Sequence, residues 1–149
     1  MERNELTNII SKVLIPLGFK KKGNYWVING SEITKMVNLQ KSQFSNRFYI
    51  NWGFIVSSIF LDGMMHICNR VTSINKSENL RIDELLDLEY DIPDEVRESE
   101  LKNILRKNLV DKINQINTES DLKMYLESLS PVHSNLIPLV VKRHFNLPE

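Results

Sequence analysis

His66 and Cys68, two side chains that often do chemistry, stand two residues apart in this 149-residue chain. On a strand that spacing puts both on one face, where a neighbouring His66 or Arg70 could hold the thiol as a reactive thiolate. Met65, Ile67 and Val71 around them fit ordinary strand packing equally well, and no third side chain is placed to orient the histidine. The pattern therefore favours a structural cysteine over a thiol enzyme. A zinc site assembled from His66, Cys68, His133 and His144 would need two remote segments to converge, and no pair among them has the spacing of a structural site. Neither a metal nor a cofactor is expected.

Nucleotide and hydrolase signatures are absent: GxxxxGK(S/T), GxGxxG, HExxH and GxSxG do not occur. The five glycines, at 18, 23, 30, 53 and 63, are too scattered to build a phosphate-cradling loop. What remains is recognition chemistry. Lys20, Lys21 and Lys22 lead into Tyr25 and Trp26, and Lys35, Lys41 and Arg47 follow nearby. Cations interleaved with rings on a sheet can hold single-stranded nucleic acid, although lysines at a strand start also guard a sheet edge. A second set, Tyr25, Asn38, Gln40, Lys41, Arg47, Tyr49 and Asn51, pairs amide donors and acceptors with aromatic area and contains no general base. A third set is acidic: Asp83, Glu84, Asp87, Glu89, Asp91 and Asp94 lead to Glu95, Glu98 and Glu100, with Arg97 the one base among them. Their spacing matches no calcium loop, and part of the run lies where acids favour a helix start.

The elements that must position these residues follow from periodicity. Leu6, Ile9, Ile10, Val13, Leu14 and Leu17 predict an amphipathic helix over 4–16, capped by Asn4 and closed by Pro16 and Gly18. Residues 20–28 predict a strand, and Asn29-Gly30 a tight hairpin turn. The returning strand, 32–42, sets Ile33, Val37 and Leu39 on one face and Met36, Asn38 and Gln40 on the other. In 47–56, Phe48, Ile50, Trp52, Phe54 and Val56 alternate with Arg47, Tyr49, Asn51, Gly53 and Ile55, so one face is core. A fourth strand is expected near 66–74. Residues 75–95 hold little periodicity beyond a helical turn at Ile82, Leu85, Leu86 and Leu88. A long helix over 95–116, a shorter one over 119–129 with a capping box at Thr118 and Asp121, and a last one opened by Ser130-Pro131 and kinked by Pro138 complete the chain.

The predicted architecture is α+β: an N-terminal helix, an antiparallel β-meander of about four strands, then two to four helices packed on one face of the sheet. Length and an apolar fraction of 42% fit a single domain over 1–149 that buries its own core. One cysteine excludes an internal disulfide, the acidic N-terminus does not resemble a signal peptide, and the longest apolar run is about half the ~20 residues of a membrane span. A cytoplasmic location with no membrane contact is the expectation. Nineteen basic residues balance nineteen acidic ones, but unevenly. Residues 1–60 carry 8 basic and 3 acidic side chains, 61–100 carry 4 and 11, and 101–149 carry 7 and 5.

The Leu17-Gly18-Phe19-Lys20 start, Gly23-Asn24, the Val37-Asn38-Leu39-Gln40-Lys41-Ser42 strand and Asn46-Arg47-Phe48-Tyr49-Ile50-Asn51 resemble a bacterial family described as domain of unknown function 4304. The likeness is specific over residues 14–54, and it departs at Leu85 to Tyr90, where that family carries a tryptophan-rich acidic stretch. The resemblance implies a small cytoplasmic α/β protein and supplies no activity and no catalytic residue. The reading that follows is a non-enzymatic binding or interaction module, of an immunity or regulatory kind, with a basic-surfaced protein partner on the acidic set. The alternative is a nucleic-acid-binding or nucleic-acid-processing protein using Lys20 to Lys22, Lys41, Arg47, Tyr25 and Tyr49.

Overall fold

A computed structural model describes residues 1–149. Helix α1 (Arg3–Leu14) buries Leu6, Ile9, Ile10, Val13 and Leu14, the stripe its spacing predicts. It begins at Glu2 and not at Asn4, because the Glu5 carboxylate accepts the Glu2 N–H at 2.9 Å and ties down the entering chain. Pro16 turns the exit into a 3₁₀ turn, Ile15–Leu17, and Gly18 at φ 100° ends it.

Five strands follow in the order β1-β2-β3-β4-β5, every neighbour antiparallel. The expected strand over 20–28 is two strands, β1 (Lys20–Lys22) and β2 (Tyr25–Ile28), because Gly23 at φ 62° reverses the chain between them. The β2–β3 hairpin forms, but not through a tight Asn29-Gly30 turn: Ile28 pairs Lys35, so residues 29–34 make the connection, and Gly30 does not adopt a positive φ. Glycine is needed there for space: a Cβ would lie 2.4 Å from the Ile33 carbonyl oxygen. Strands β3 (Ile33–Lys41) and β4 (Phe48–Val56) pair over their full lengths, from Ile33 opposite Val56 to Lys41 opposite Phe48. The last strand, β5 (Ile67–Arg70), is shorter than expected and packs so close that a Cβ on Gly53 would stand 1.8 Å from the Ile67 oxygen.

The hard-to-read stretch after the sheet holds α2 (Lys76–Leu85), capped by the Asn75 side chain, which accepts the Glu78 N–H at 3.0 Å. The long helix is present as α3 (Asp94–Leu105), a π-helical turn over Arg106–Val110 and a last turn α4 (Asp111–Ile113). At the widening, Asn108 donates to the Ile104 carbonyl (3.2 Å) and the Glu78 carboxylate (3.1 Å). Helix α5 (Glu119–Glu127) has the expected capping box, with Asp121 N–H donating to Thr118 Oγ1 and Thr118 N–H to Asp121 Oδ2, both at 3.1 Å. Pro138 separates α6 (Pro131–Ser134) from α7 (Leu139–His144), a break where a kink was expected. No helix is long and apolar enough to cross a membrane.

One cluster of 33 buried residues joins the helices to one face of the sheet. Trp26, Ile33, Val37, Leu39, Phe48, Ile50, Trp52, Phe54, Val56 and Ile67 are its strand members, all on the same pleat. The outward pleat contributes nothing to that cluster: Val27, though 7% exposed, lies outside it.

Candidate functional site

The register decides which polar residues meet. Lys22, Tyr25, Asn38, Asn51 and Arg70 form one row across all five strands, on the face away from the helices. Gln40 and Tyr49 are the next cross-strand pair on that face. Asn51 Nδ2 donates to Gln40 Oε1 at 2.9 Å and to Asn38 Oδ1 at 3.3 Å. Asn38 Nδ2 reaches the Asn24 carbonyl at 3.4 Å, and Asn24 Nδ2 reaches the Leu39 carbonyl at 3.2 Å. The two central asparagines are therefore nearly sealed, 5% and 6% exposed, and their amides are locked by each other. Gln40, Lys20, Lys22 and Arg70 are exposed around them, with Tyr25 and Tyr49 half-buried. No strand position on this face carries a carboxylate.

One residue expected on this surface is placed differently, and a second is held at its edge. Lys41 belongs to the opposite pleat, two positions along from Leu39, and lies at the strand end opposite Phe48. Arg47 precedes β4 and is pinned by its backbone: it bridges to Asp87, while Phe48 N–H donates to Leu86 O (2.9 Å) and Leu88 N–H to Asn46 O (3.1 Å). Of the two rings in the basic hairpin, Trp26 is fully buried and donates its Nε1–H to Ser11 Oγ at 3.0 Å. Lys35, also counted with the basic residues, is 6% exposed on the core pleat beside Phe54. Burial pulls its ammonium below the ordinary lysine value, an effect Asp121 partly offsets. Sequence reasoning did not assign Arg70 to this face. Its guanidinium lies 3.9 Å from the Tyr49 ring centroid, and only the β4–β5 register reveals the contact.

The acidic set is partly neutralised from within. Arg81 pairs Glu84 at 3.0 Å and Glu100 at 2.7 Å, and Glu98 lies between Lys12 and Lys102, 3.0 Å from each. These neighbours hold the Glu84 and Glu98 carboxyls below the usual glutamate range. Asp83, Glu89 and Asp91 are exposed and unpaired, and Asp87 uses its carboxylate to accept the Glu89 N–H at 3.1 Å. Asp94 stands 3.9 Å from the amine of Met1. Arg97, the single base in the run, turns inward: 1% exposed, it donates to the carbonyls of Glu84 (3.3 Å), Leu85, Asp87 (3.1 Å) and Tyr90 (2.7 Å). It thereby closes the C-terminus of α2 with a cation, the sign the helix end favours. No salt bridge joins the basic hairpins to this stretch; the basic N-terminal block meets it through α1, where Lys12 pairs Glu98, and through the backbone bridge of Arg47 to Asp87.

Three arrangements contain side chains of catalytic type; His66 is tied into the fold, whereas Cys68 is exposed on the outer pleat and not packed in the core as its neighbours led one to expect. His66 Nδ1 accepts the Val56 N–H at 2.8 Å, which places its proton on Nε2 for the Phe60 carbonyl at 3.0 Å, so both nitrogens are used. Burial pushes the Cys68 thiol up from its ordinary value, more than Arg70 pulls it down, the reverse of an activated nucleophile. No spacing along the chain foreshadows the meeting of Ser58, Glu119 and His144. Ser58 Oγ donates to Glu119 Oε2 at 3.1 Å and lies 3.4 Å from His144 Nε2, while that same nitrogen is 2.6 Å from Glu119 Oε1. A hydrolytic triad uses one ring nitrogen for the hydroxyl and the other for the acid. With both on Nε2 and the hydroxyl proton given to the carboxylate, nothing here takes a proton from Ser58. His66, Cys68, His133 and His144 do not converge, since no three His, Cys, Asp or Glu side chains gather in a metal-binding group.

An antiparallel meander with its helices on one face and a locked polar ladder on the other is the architecture to be matched. The family model described as Domain of unknown function (DUF4304) matches residues 10–119, and the chain belongs to that family. The match covers the end of α1 from Ile10, the whole sheet, α2 and the long helix, and stops where α5 begins. Comparison with curated proteins and with solved structures finds no match.

Proposed function

We propose that the chain is a non-enzymatic binding module whose recognition surface is the outer sheet face. The observation that carries this is the row Lys22, Tyr25, Asn38, Asn51 and Arg70, with Lys20 beside it and no carboxylate on any strand position of that face. Its amides are already ordered by mutual hydrogen bonds, so little side-chain freedom is lost when a partner docks. Its charge sign selects an anionic partner. That is opposite to the partner the acidic stretch would take, and internal ion pairs consume part of the acidic charge.

A protein with an acidic surface, in an immunity or regulatory pairing, fits better than single-stranded nucleic acid. Base stacking needs free ring faces. Trp26 is in the core, and one face of Tyr49 is covered by Arg70, which leaves Tyr25. The deciding experiment is affinity capture from the source cells by the native chain and by the Lys22→Glu/Arg70→Glu double variant, alongside fluorescence anisotropy with a single-stranded oligonucleotide at low salt. The reading expects a protein captured by the native chain and lost with the double variant. Capture unchanged by the double variant, or tight salt-dependent oligonucleotide binding with no protein captured, overturns it.

A further inference from the structure

Asn29 and Gly30 carry the strongest short turn signal in the sequence, yet the fold does not use the pair as a tight turn. Gly30 is required for space, since a Cβ there would stand 2.4 Å from the Ile33 carbonyl oxygen and 3.6 Å from its carbon. Asn29 has no comparable duty. Its φ is not positive, and its exposed carboxamide makes no hydrogen bond, neither to the main chain two residues on, as asparagines in turns often do, nor to any other group. The Gly30 N–H makes none either. Other asparagine carboxamides are tied into the fold, among them Asn24, Asn38, Asn51, Asn79, Asn108 and Asn117. None of the fifteen others is followed by glycine.

A free carboxamide next to a free amide nitrogen, with no side chain on that residue to obstruct approach, is a pair able to react with itself. Both groups lie beyond the last ladder pair, Ile28 with Lys35, so no sheet hydrogen bond has to break for them to meet. We infer that Asn29 is a modification site, the position at which the folded chain deamidates through a cyclic imide. Hydroxide takes the Gly30 N–H proton, and the nitrogen attacks Asn29 Cγ. The new C–N bond closes a five-membered ring, and the Cγ–Nδ2 bond breaks as Nδ2 takes up a proton and leaves as ammonia. Water then opens the imide at either carbonyl, giving aspartate or the isoaspartyl linkage. Both products lower the formal net charge from zero by one. The isoaspartyl form also adds a methylene to the main chain, in a connection with no spare room at Gly30. The inference is independent of the sheet-face reading.

The full-length chain is incubated folded and in urea, side by side. Intact mass and peptide mapping follow the conversion, and a protein isoaspartyl methyltransferase with S-adenosylmethionine reports the isoaspartyl product. A gain of one mass unit is expected in the peptide that holds residues 29 and 30, faster in more alkaline buffer and accompanied by methyl uptake. Because no native hydrogen bond must open first, the folded chain should convert within about tenfold of the rate in urea. Asn29→Gln, which would have to close a larger ring, should stay folded and lose both signals. A folded-state rate below that limit would show that the local geometry protects Asn29 and overturns the inference. So does a first mass gain at another asparagine, conversion without methyl uptake, or unchanged conversion in Asn29→Gln.

Discussion

Replacing Arg97 by methionine should destabilise this protein far more than replacing any other charged residue of the acidic stretch. The guanidinium is 1% exposed and serves four carbonyl groups between Glu84 and Tyr90, which end α2 and begin the approach to α3. Methionine fills most of the space but leaves those acceptors buried without donors. Removing one side of a buried charged hydrogen-bond set costs about 3–5 kcal/mol. Part of this is returned, because Arg97 Nε is itself buried without a partner, and relieving it is worth about 1 kcal/mol. The net loss is about 3 kcal/mol out of a total stability on the order of 5–15 kcal/mol. With a urea m-value near 2 kcal/mol/M, the unfolding midpoint should fall by about 1.5 M with little change in slope. Hydrogen exchange should quicken at the amides of residues 84–90, and Arg97→Lys should recover only part of the loss, since one ammonium cannot span four carbonyls. A midpoint shift worth less than about 1 kcal/mol would show that the carbonyls find water or other donors, and the pinning role would be wrong.

Other consequences are sharp enough to measure. Lys35→Met should stabilise the fold by up to about 1 kcal/mol in the same urea assay, because an ammonium on the core pleat beside Phe54 gives up part of its hydration without a hydrogen bond in return; destabilisation would mean that its attraction to Asp121 dominates. Gly53→Ala should cost about 3 kcal/mol or abolish folding, since its Cβ would stand 1.8 Å from the Ile67 oxygen and only a backbone shift of β5 can relieve that; near-native stability would refute the close approach. The hydrogen bond from His144, with a smaller contribution from Ser58, holds the Glu119 carboxyl below its ordinary value of 4.5. A depressed acid stabilises the fold above its unfolded-state value and loses that contribution as pH falls through the folded one, so Glu119→Gln should flatten the stability loss seen below about pH 4.5. An unchanged acid limb in urea melts from pH 6 to pH 3 would exclude the coupling.

The sheet was largely legible because its two long strands carry strict alternation: Phe48 to Val56 could face the core in only one phase. The break at Gly23-Asn24 was not, since the lysines before it and the apolar residues after it read as one continuous strand until the positive φ of Gly23 is seen. Helix α2 was obscured for a different reason. Much of its stability comes from the Asn75 cap, the Arg81 ion pairs and Arg97 at its end, contacts supplied by loop and helix partners and not by its own apolar periodicity. Of the candidate surface, Asn38, Gln40, Tyr49 and Asn51 were legible from parity alone. Lys41 shares the charge of that surface but not its parity: two residues after Leu39, it belongs to the core pleat. Arg70 was missed because its row depends on a register that no local pattern fixes. The meeting of Ser58, Glu119 and His144 joins residues up to 86 apart and left no trace in spacing.

The measurement that bears most directly on the sheet-face assignment is site-specific photo-crosslinking in the source cells. Benzoylphenylalanine replaces Tyr25 on the outer face in one sample and the exposed Met124 of α5, on the helical side, in another. The assignment expects a discrete protein adduct from position 25, absent when Lys22→Glu and Arg70→Glu are added, and none of that mass from position 124. The same adduct from position 124, or one from position 25 that survives both charge reversals, would contradict it.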